Sequence, residues 1–279
     1  MVICQNLLLM IFDENKLLLI AGPCAIENEE VTMACAYCLS EVQKSLPNLN
    51  IVFKGSFDKA NRSSIFSKRG VGLSRGLEIL SEIKLKYKFP VTTDIHIPSQ
   101  AEAVTEVCDV IQIPAFLCRQ TDLIIAAAKT QKTVSVKKGQ FLSPQEMKHV
   151  VTKLRESNAS EIWQIERGSS FGYNNLVVDM RSFYIMKKNN CPTIFDATHS
   201  VQLPGTSSKG TGGDRTFVPI LAKAAIASGA DGLFFEIHPD PKNAISDSEN
   251  QIATADFPKI IKECFNLWFF LKKENQQSQ

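Results

Sequence analysis

From residue 17 onward, short runs of consecutive apolar residues alternate with longer stretches in which apolar positions recur every three or four residues. The first pattern predicts strands covered on both faces, and the second predicts amphipathic helices. Eight strands follow: Leu17–Ala21, Asn50–Lys54, Val91–Ile95, Val110–Ile113, Thr133–Lys137, Glu161–Glu166, Thr193–Asp196 and Gly232–Glu236. Helices are predicted over Glu29–Ser45, Leu73–Lys86, Pro144–Arg155 and Phe217–Ser228, with Asn28 and Ser143 placed to cap two of them. Eight strand-helix units predict a closed TIM (β/α)8 barrel. The rival is an open doubly wound sheet, but no glycine-rich dinucleotide fingerprint follows the first strand. Asp13-Glu14-Asn15 predicts a turn, and with it a short N-terminal β-hairpin over residues 5–20.

Composition narrows the picture without changing it. A chain of 279 residues with no low-complexity tract fits one domain over 1–279, with a barrel core over 17–266 and a polar tail over 272–279. The net charge of +2, spread along the chain, supplies no general field for nucleic acid or a membrane surface, so any anion site must be local. The apolar run Leu7–Phe12 is short, lacks a basic leader and is followed by Asp13 and Glu14, which argues against an export signal. Eight cysteines in such a chain are expected as reduced thiols in a cytoplasmic protein. Cys35 and Cys38 form a CxxC, but inside a predicted helix, and are expected to be core residues.

Reactive side chains of such barrels gather where strands end at their C-termini. Almost every predicted strand ends in one. A cationic set comprises Lys54, Lys59, Arg62, Arg119, Lys137, Lys138 and Arg167, which would repel one another unless a multiply charged anion lay among them. Any single lysine could instead be a solvated surface charge. A second set, Cys24, His199, Glu236 and Asp247, mixes thiolate, imidazole and carboxylate, a combination suited to zinc, iron or manganese rather than calcium. Taken singly, Cys24 could be a small core residue and His199 a hydrogen-bonded structural one. Residues 203–215 form a polar, glycine-rich stretch that is either an ordinary long loop or a closing lid.

Gly22-Pro23-Cys24, the run Phe53 to Ser64 containing Lys59-Ala60-Asn61-Arg62-Ser63-Ser64, and Thr93-Asp94-Ile95-His96 resemble the 3-deoxy-D-manno-octulosonate 8-phosphate synthases. The resemblance continues in order through Gln112-Ile113-Pro114-Ala115-Phe116-Leu117, Val136-Lys137-Lys138, Phe171 to Asp179 and His238-Pro239-Asp240-Pro241. It stops short of the first dozen residues and of the tail after Asn266. It implies a TIM barrel, a homotetramer in that family, that condenses phosphoenolpyruvate with arabinose 5-phosphate and releases phosphate, in lipopolysaccharide or related cell-wall sugar synthesis. The related synthases that use erythrose 4-phosphate carry Lys-Pro-Arg-Thr where this chain has Lys59-Ala60-Asn61-Arg62, which favours the five-carbon acceptor. Cys24, asparagine in the metal-free branch, points to the branch that needs a divalent transition metal; Lys138-Gly139-Gln140-Phe141 and Ser200 to Gly205 agree.

The resemblance also implies roles. Lys59, Lys137 and Arg167 would hold phosphoenolpyruvate, with Gln112, Ala115 and Ser56 lining its site and Lys54 close by. Arg62 and Ser63 would take the sugar phosphate, Asp94 and Asn61 would make polar contacts, and Arg119 would reach an adjacent subunit. Lys59, Lys137, His199 and Asp247 would be the catalytic residues, and Cys24, His199, Glu236 and Asp247 the metal ligands. A non-catalytic barrel that senses sugar phosphates is the alternative from another class; it would bind without releasing phosphate.

Overall fold

The computed structural model describes residues 10–207 and 210–277. Eight parallel strands, β1 (Leu17–Gly22), β2 (Leu49–Lys54), β3 (Val91–Asp94), β4 (Val110–Ile113), β5 (Thr133–Lys137), β6 (Glu161–Glu166), β7 (Thr193–Asp196) and β8 (Gly232–His238), pair in sequence order. β8 returns to β1, with Leu18 opposite Gly232 and Gly22 opposite Glu236, so the sheet closes. Helices α1 (Glu29–Ser45), α2 (Leu73–Tyr87), α3 (Gln100–Thr105), α4 (Thr121–Lys129), α5 (Met147–Glu156), α6 (Arg181–Lys187), α7 (Val218–Ala227) and α8 (Phe257–Gln277) surround it. The TIM barrel is thus the observed architecture.

The predicted caps act as capping chemistry requires. Asn28 accepts from the Val31 backbone N–H at 2.8 Å, and Ser143 and Glu146 form a reciprocal capping box that starts a short 3-10 turn before α5. Residues 202–207 and 210–213 form an antiparallel hairpin, so most of the expected 203–215 loop has sheet structure of its own. Residues 10–16 contain a turn but no strand, so the last residues of the first arm expected for the N-terminal hairpin are not paired, and the rest of that arm, over 5–9, lies outside the described residues.

Alternation along the strands divides the core in two. Leu17, Leu19, Ile51 and Phe53 belong to the layer between sheet and helices, whereas Leu18, Ile20, Val52, Val110, Trp163, Ile165, Ile194 and Phe234 fill the barrel itself. Ile11 and Phe12 pack against this inner cluster. Their backbone N–H groups donate to the buried Glu161 carboxylate at 3.2 and 3.3 Å, and Thr133 Oγ1 adds a third bond at 2.9 Å. The segment before β1 is thereby tied to the N-terminal end of the barrel.

Candidate active site

The alternation that fills the barrel also stocks its opposite end. One step of two residues beyond inward-facing Val52, Val110, Ile165, Ile194 and Phe234 lie Lys54, Gln112, Arg167, Asp196 and Glu236. Asp94 and Lys137 stand in matching positions on β3 and β5. All of these side chains except Asp196, which is buried against Lys137 and His199, line one cavity of about 450 Å³ at the C-terminal mouth, which Lys59, Asn61, Arg62, Ser63, Ala115, His199, Gln202 and Asp247 also line. Phe234, from the inner core, supports Lys137 from below, with Lys137 Nζ 3.7 Å from the ring centroid.

One corner gathers the expected metal donors. Cys24 Sγ and one carboxylate oxygen each of Glu236 and Asp247 lie within 4.8 Å of one another. His199 Nε2 is 3.5 Å from Glu236 Oε1. His199 starts a 3-10 turn after β7, where Asp196 accepts from its backbone N–H at 2.9 Å and lies 2.8 Å from Nδ1. A carboxylate only accepts, so Nδ1 is the donor toward Asp196 and Nε2 is left facing Glu236, the arrangement that orients a ligating histidine. Cys24 Sγ donates to Asp247 Oδ2 at 3.2 Å. Burial, then Glu236, pushes this thiol well above its ordinary range. Burial opposes the charge on Asp247, yet His199, Lys59 and the Cys24 hydrogen bond hold its carboxyl low. Glu236 Oε2 is buried without a partner. The close group is Cys24, Glu236 and Asp247, with the His199 imidazole beside Glu236; a soft sulfur, two carboxylates and an imidazole nitrogen fit a divalent transition ion. Cys24, His199, Glu236 and Asp247 are the residues that could hold one.

The rest of the mouth is built for anions, but not as a bare cluster of positive charge. Lys54 Nζ reaches Glu236 Oε1 at 2.9 Å and the Cys24 carbonyl at 2.7 Å, and Lys137 Nζ reaches Asp196 Oδ2 at 2.6 Å. The expectation of a self-repelling set held together only by a ligand is therefore corrected: buried carboxylates interleave with the lysines, because unpaired buried charges would be too costly. Burial works against the Lys59 ammonium, but Cys24, Glu236, Asp94 and Asp247 raise its pKa overall. Asp94 is held low, against burial, by His96 and Lys59. What remains open for a ligand is specific: Arg167 Nη1, Arg62 Nε and Gln112 Oε1 are buried and unpartnered. Arg62 is held over the mouth by Ser246 Oγ at 2.7 Å and the Ile245 carbonyl at 2.9 Å.

Three expected residues stand apart from this cavity. Lys138 turns outward into the protein, donating to the Gly139, Leu142 and Gly168 carbonyls and to Ser169 Oγ, with Glu166 at 3.5 Å. It follows inward-facing Lys137 by one residue, so alternation sends it the other way. Ser56 is fully buried and does not line the cavity. Arg119 is exposed beyond the chain's own mouth. Each described cysteine is a free thiol, and burial pushes Cys35 and Cys38 upward, the latter to about 11, in keeping with core roles. Three polar residues went without a role in the sequence reading. Asp196 ends β7 with the inward parity of Glu236, which marks it; Gln202 opens the hairpin that follows the His199 turn and Ser246 lies in the irregular stretch before Asp247, where no inward periodicity marks them.

Against known proteins, residues 4–268 match the model of the DAHP synthetase I family. A 2-dehydro-3-deoxyphosphooctonate aldolase of Francisella tularensis subsp. holarctica is 54% identical over 252 residues, covering 89% of this chain and 91% of its own. Proteins of the same name from Syntrophotalea carbinolica and Desulfotalea psychrophila are 52% and 53% identical, each alignment covering 88% of both chains.

Proposed function

The chain belongs to the DAHP synthetase I family, and we propose that its mouth condenses phosphoenolpyruvate with D-arabinose 5-phosphate and water. The products are 3-deoxy-D-manno-octulosonate 8-phosphate and inorganic phosphate, the former a precursor of lipopolysaccharide. The observation that carries this reading is that one cavity, lined by His199, Glu236 and Asp247 with Cys24 packed against Asp247 behind it, also holds cationic groups that retain unpartnered N–H bonds.

In this reading Arg167, Lys59 and Lys137 grip the phosphate and carboxylate of phosphoenolpyruvate, with Gln112 and Ala115 along its edge, Lys54 beneath and Ser56 in the wall behind. Arg62 and Ser63 take the phosphate of the sugar, and Asn61 and Asp94 contact its polar groups. Two phosphate sites in one cavity bring the vinyl carbon of one substrate to the aldehyde of the other, which removes much of the entropic barrier. The vinyl carbon bonds to the aldehyde carbon, the oxygen of water adds to the neighbouring carbon, and the carbon–oxygen bond to phosphate breaks. Negative charge grows on the aldehyde oxygen and on departing phosphate, and fixed cations stabilise it without reorganising. A zinc, iron or manganese ion on Cys24, His199, Glu236 and Asp247 would supply Lewis-acid stabilisation. Asp196 keeps His199 turned toward that corner.

We further propose a cytoplasmic homotetramer. Free thiols support the compartment. Exposed Ile65, Phe66 and Phe116 near the mouth, together with Arg119 outside its own cavity, support an assembly in which Arg119 serves an adjacent subunit.

The test is phosphate release from phosphoenolpyruvate, measured with arabinose 5-phosphate and with erythrose 4-phosphate, before and after exhaustive chelation. Turnover should require the five-carbon sugar, vanish on chelation and return with a divalent transition metal. Turnover of verified metal-free protein would remove the metal, and preference for the four-carbon sugar would reassign the acceptor.

A further inference from the structure

Gln202 occupies the point where the chain leaves the turn that carries His199, and its carboxamide lies between a buried arginine and a half-buried carboxylate. Its Nε2 donates to Asp247 Oδ1 at 2.6 Å, and its Oε1 accepts from Arg167 Nη2. A guanidinium only donates and a carboxylate only accepts, so the amide fits between them in one orientation. The second Asp247 oxygen is occupied separately, by Cys24 Sγ at 3.2 Å and Ser246 Oγ at 3.0 Å. On Arg167 the remaining Nη1 is buried and has no partner. Arg167 and Asp247 attract one another across this gap, and in a buried site that attraction is strong. Brought into direct contact they would form a bidentate ion pair that consumes both.

We propose that Gln202 is a positioning residue that keeps Arg167 and Asp247 from pairing, so that each stays directed at its own ligand. This rests on the reading above, in which Arg167 receives phosphoenolpyruvate and Asp247 a divalent cation. The side chain suits the task because it is neutral: it satisfies one hydrogen bond of each partner yet cancels the charge of neither. A leucine of similar volume would leave both groups unsatisfied, and direct pairing would be the nearest remedy. Glutamate would retain the grip on Arg167 while repelling Asp247.

Two binding measurements on wild type, Gln202→Leu and Gln202→Glu test this without turnover. One is calorimetric titration of metal-free protein with phosphoenolpyruvate. The other is titration with Cd²⁺, followed by the thiolate-to-cadmium absorption of Cys24. Gln202→Leu should weaken both ligands, each by about tenfold, as expected for loss of a charge-assisted hydrogen bond. Gln202→Glu, isosteric and tolerated at a half-buried site, should weaken phosphoenolpyruvate while sparing Cd²⁺. In an Asp247→Ala background, Gln202→Leu should no longer weaken phosphoenolpyruvate, because Arg167 has lost the carboxylate it would pair with. A purely structural role predicts losses that survive in that background, and that result would overturn the proposal, as would wild-type affinities in both single variants. Failure of wild type to bind phosphoenolpyruvate, or to give the cadmium–thiolate band, would instead count against the assignment of Arg167 or of the metal corner.

Discussion

At the scale of single residues, two adjacent lysines have opposite uses. Lys137 points into the mouth and pairs with Asp196, whereas Lys138 is a fully buried strut that ties the loop after β5 to the loop after β6. Burial lowers the pKa of both, but only for Lys138 are all the recorded partners structural. Lys138→Met should therefore cost stability rather than substrate affinity. Breaking a buried pair costs about 3–5 kcal/mol, and the lower end is expected here. The reason is that the Arg167 and Gly168 backbone N–H groups still serve Glu166. Urea unfolding should register the loss, and an unchanged KM for phosphoenolpyruvate in the folded fraction should accompany it. A raised KM with full stability would return Lys138 to the substrate site.

Elements matter here chiefly through where they end. β1 terminates at Gly22 beside β2, so closely that a Cβ at Gly22 would lie 1.9 Å from the Lys54 carbonyl oxygen. Two residues on, the chain must deliver Cys24 to Asp247. Gly22→Ala is thus expected to push β1 off β2, lowering stability by an amount on the order of 1–3 kcal/mol, typical of overpacking. It should also reduce metal content as Cys24 moves. Thermal melting and elemental analysis of the variant would check both, and full metal occupancy would show that Cys24 tolerates the shift. Strand bounds were legible in the sequence to within a residue or two: β4 to β7 agree with expectation end to end, as does α1, and β8 runs two residues further, to His238, whereas the helix expected from Pro144 begins as α5 at Met147, after a 3-10 turn. The extension has a tertiary cause, since Ile237 and His238 pair with Ile252 and Ala253 from the segment that follows Asp247.

Across the whole molecule, chemistry and anchoring occupy opposite ends of the barrel. The mouth holds the ionisable groups, and the far end is closed by Ile11 and Phe12, bound through Glu161. Glu161→Ala removes the acceptor of three hydrogen bonds some distance from the cavity. A loss of about 1–3 kcal/mol is the usual effect of leaving buried donors unsatisfied, so the thermal midpoint should fall by several degrees. Turnover per folded molecule should stay at the wild-type level. Reduced turnover at full folding would mean that the two ends communicate.

Local patterning alone determined the sequence of strands and helices, the closed barrel, and the residue types waiting at its mouth, because alternation and helical spacing are properties of neighbouring positions. It also brought Cys24, His199, Glu236 and Asp247 into view as one set. The partnerships were decided by closure of the ring. Lys54 meets Glu236 across 182 positions of chain, and Gln202 meets Asp247 across 45. Those contacts depend on the return of β8 to β1 and on the path of the following loop, where Asp247 takes a left-handed backbone with φ of 49°. No short-range pattern encodes such distances, so which charges neutralise one another, and which remain free for a substrate, is a property of the folded molecule.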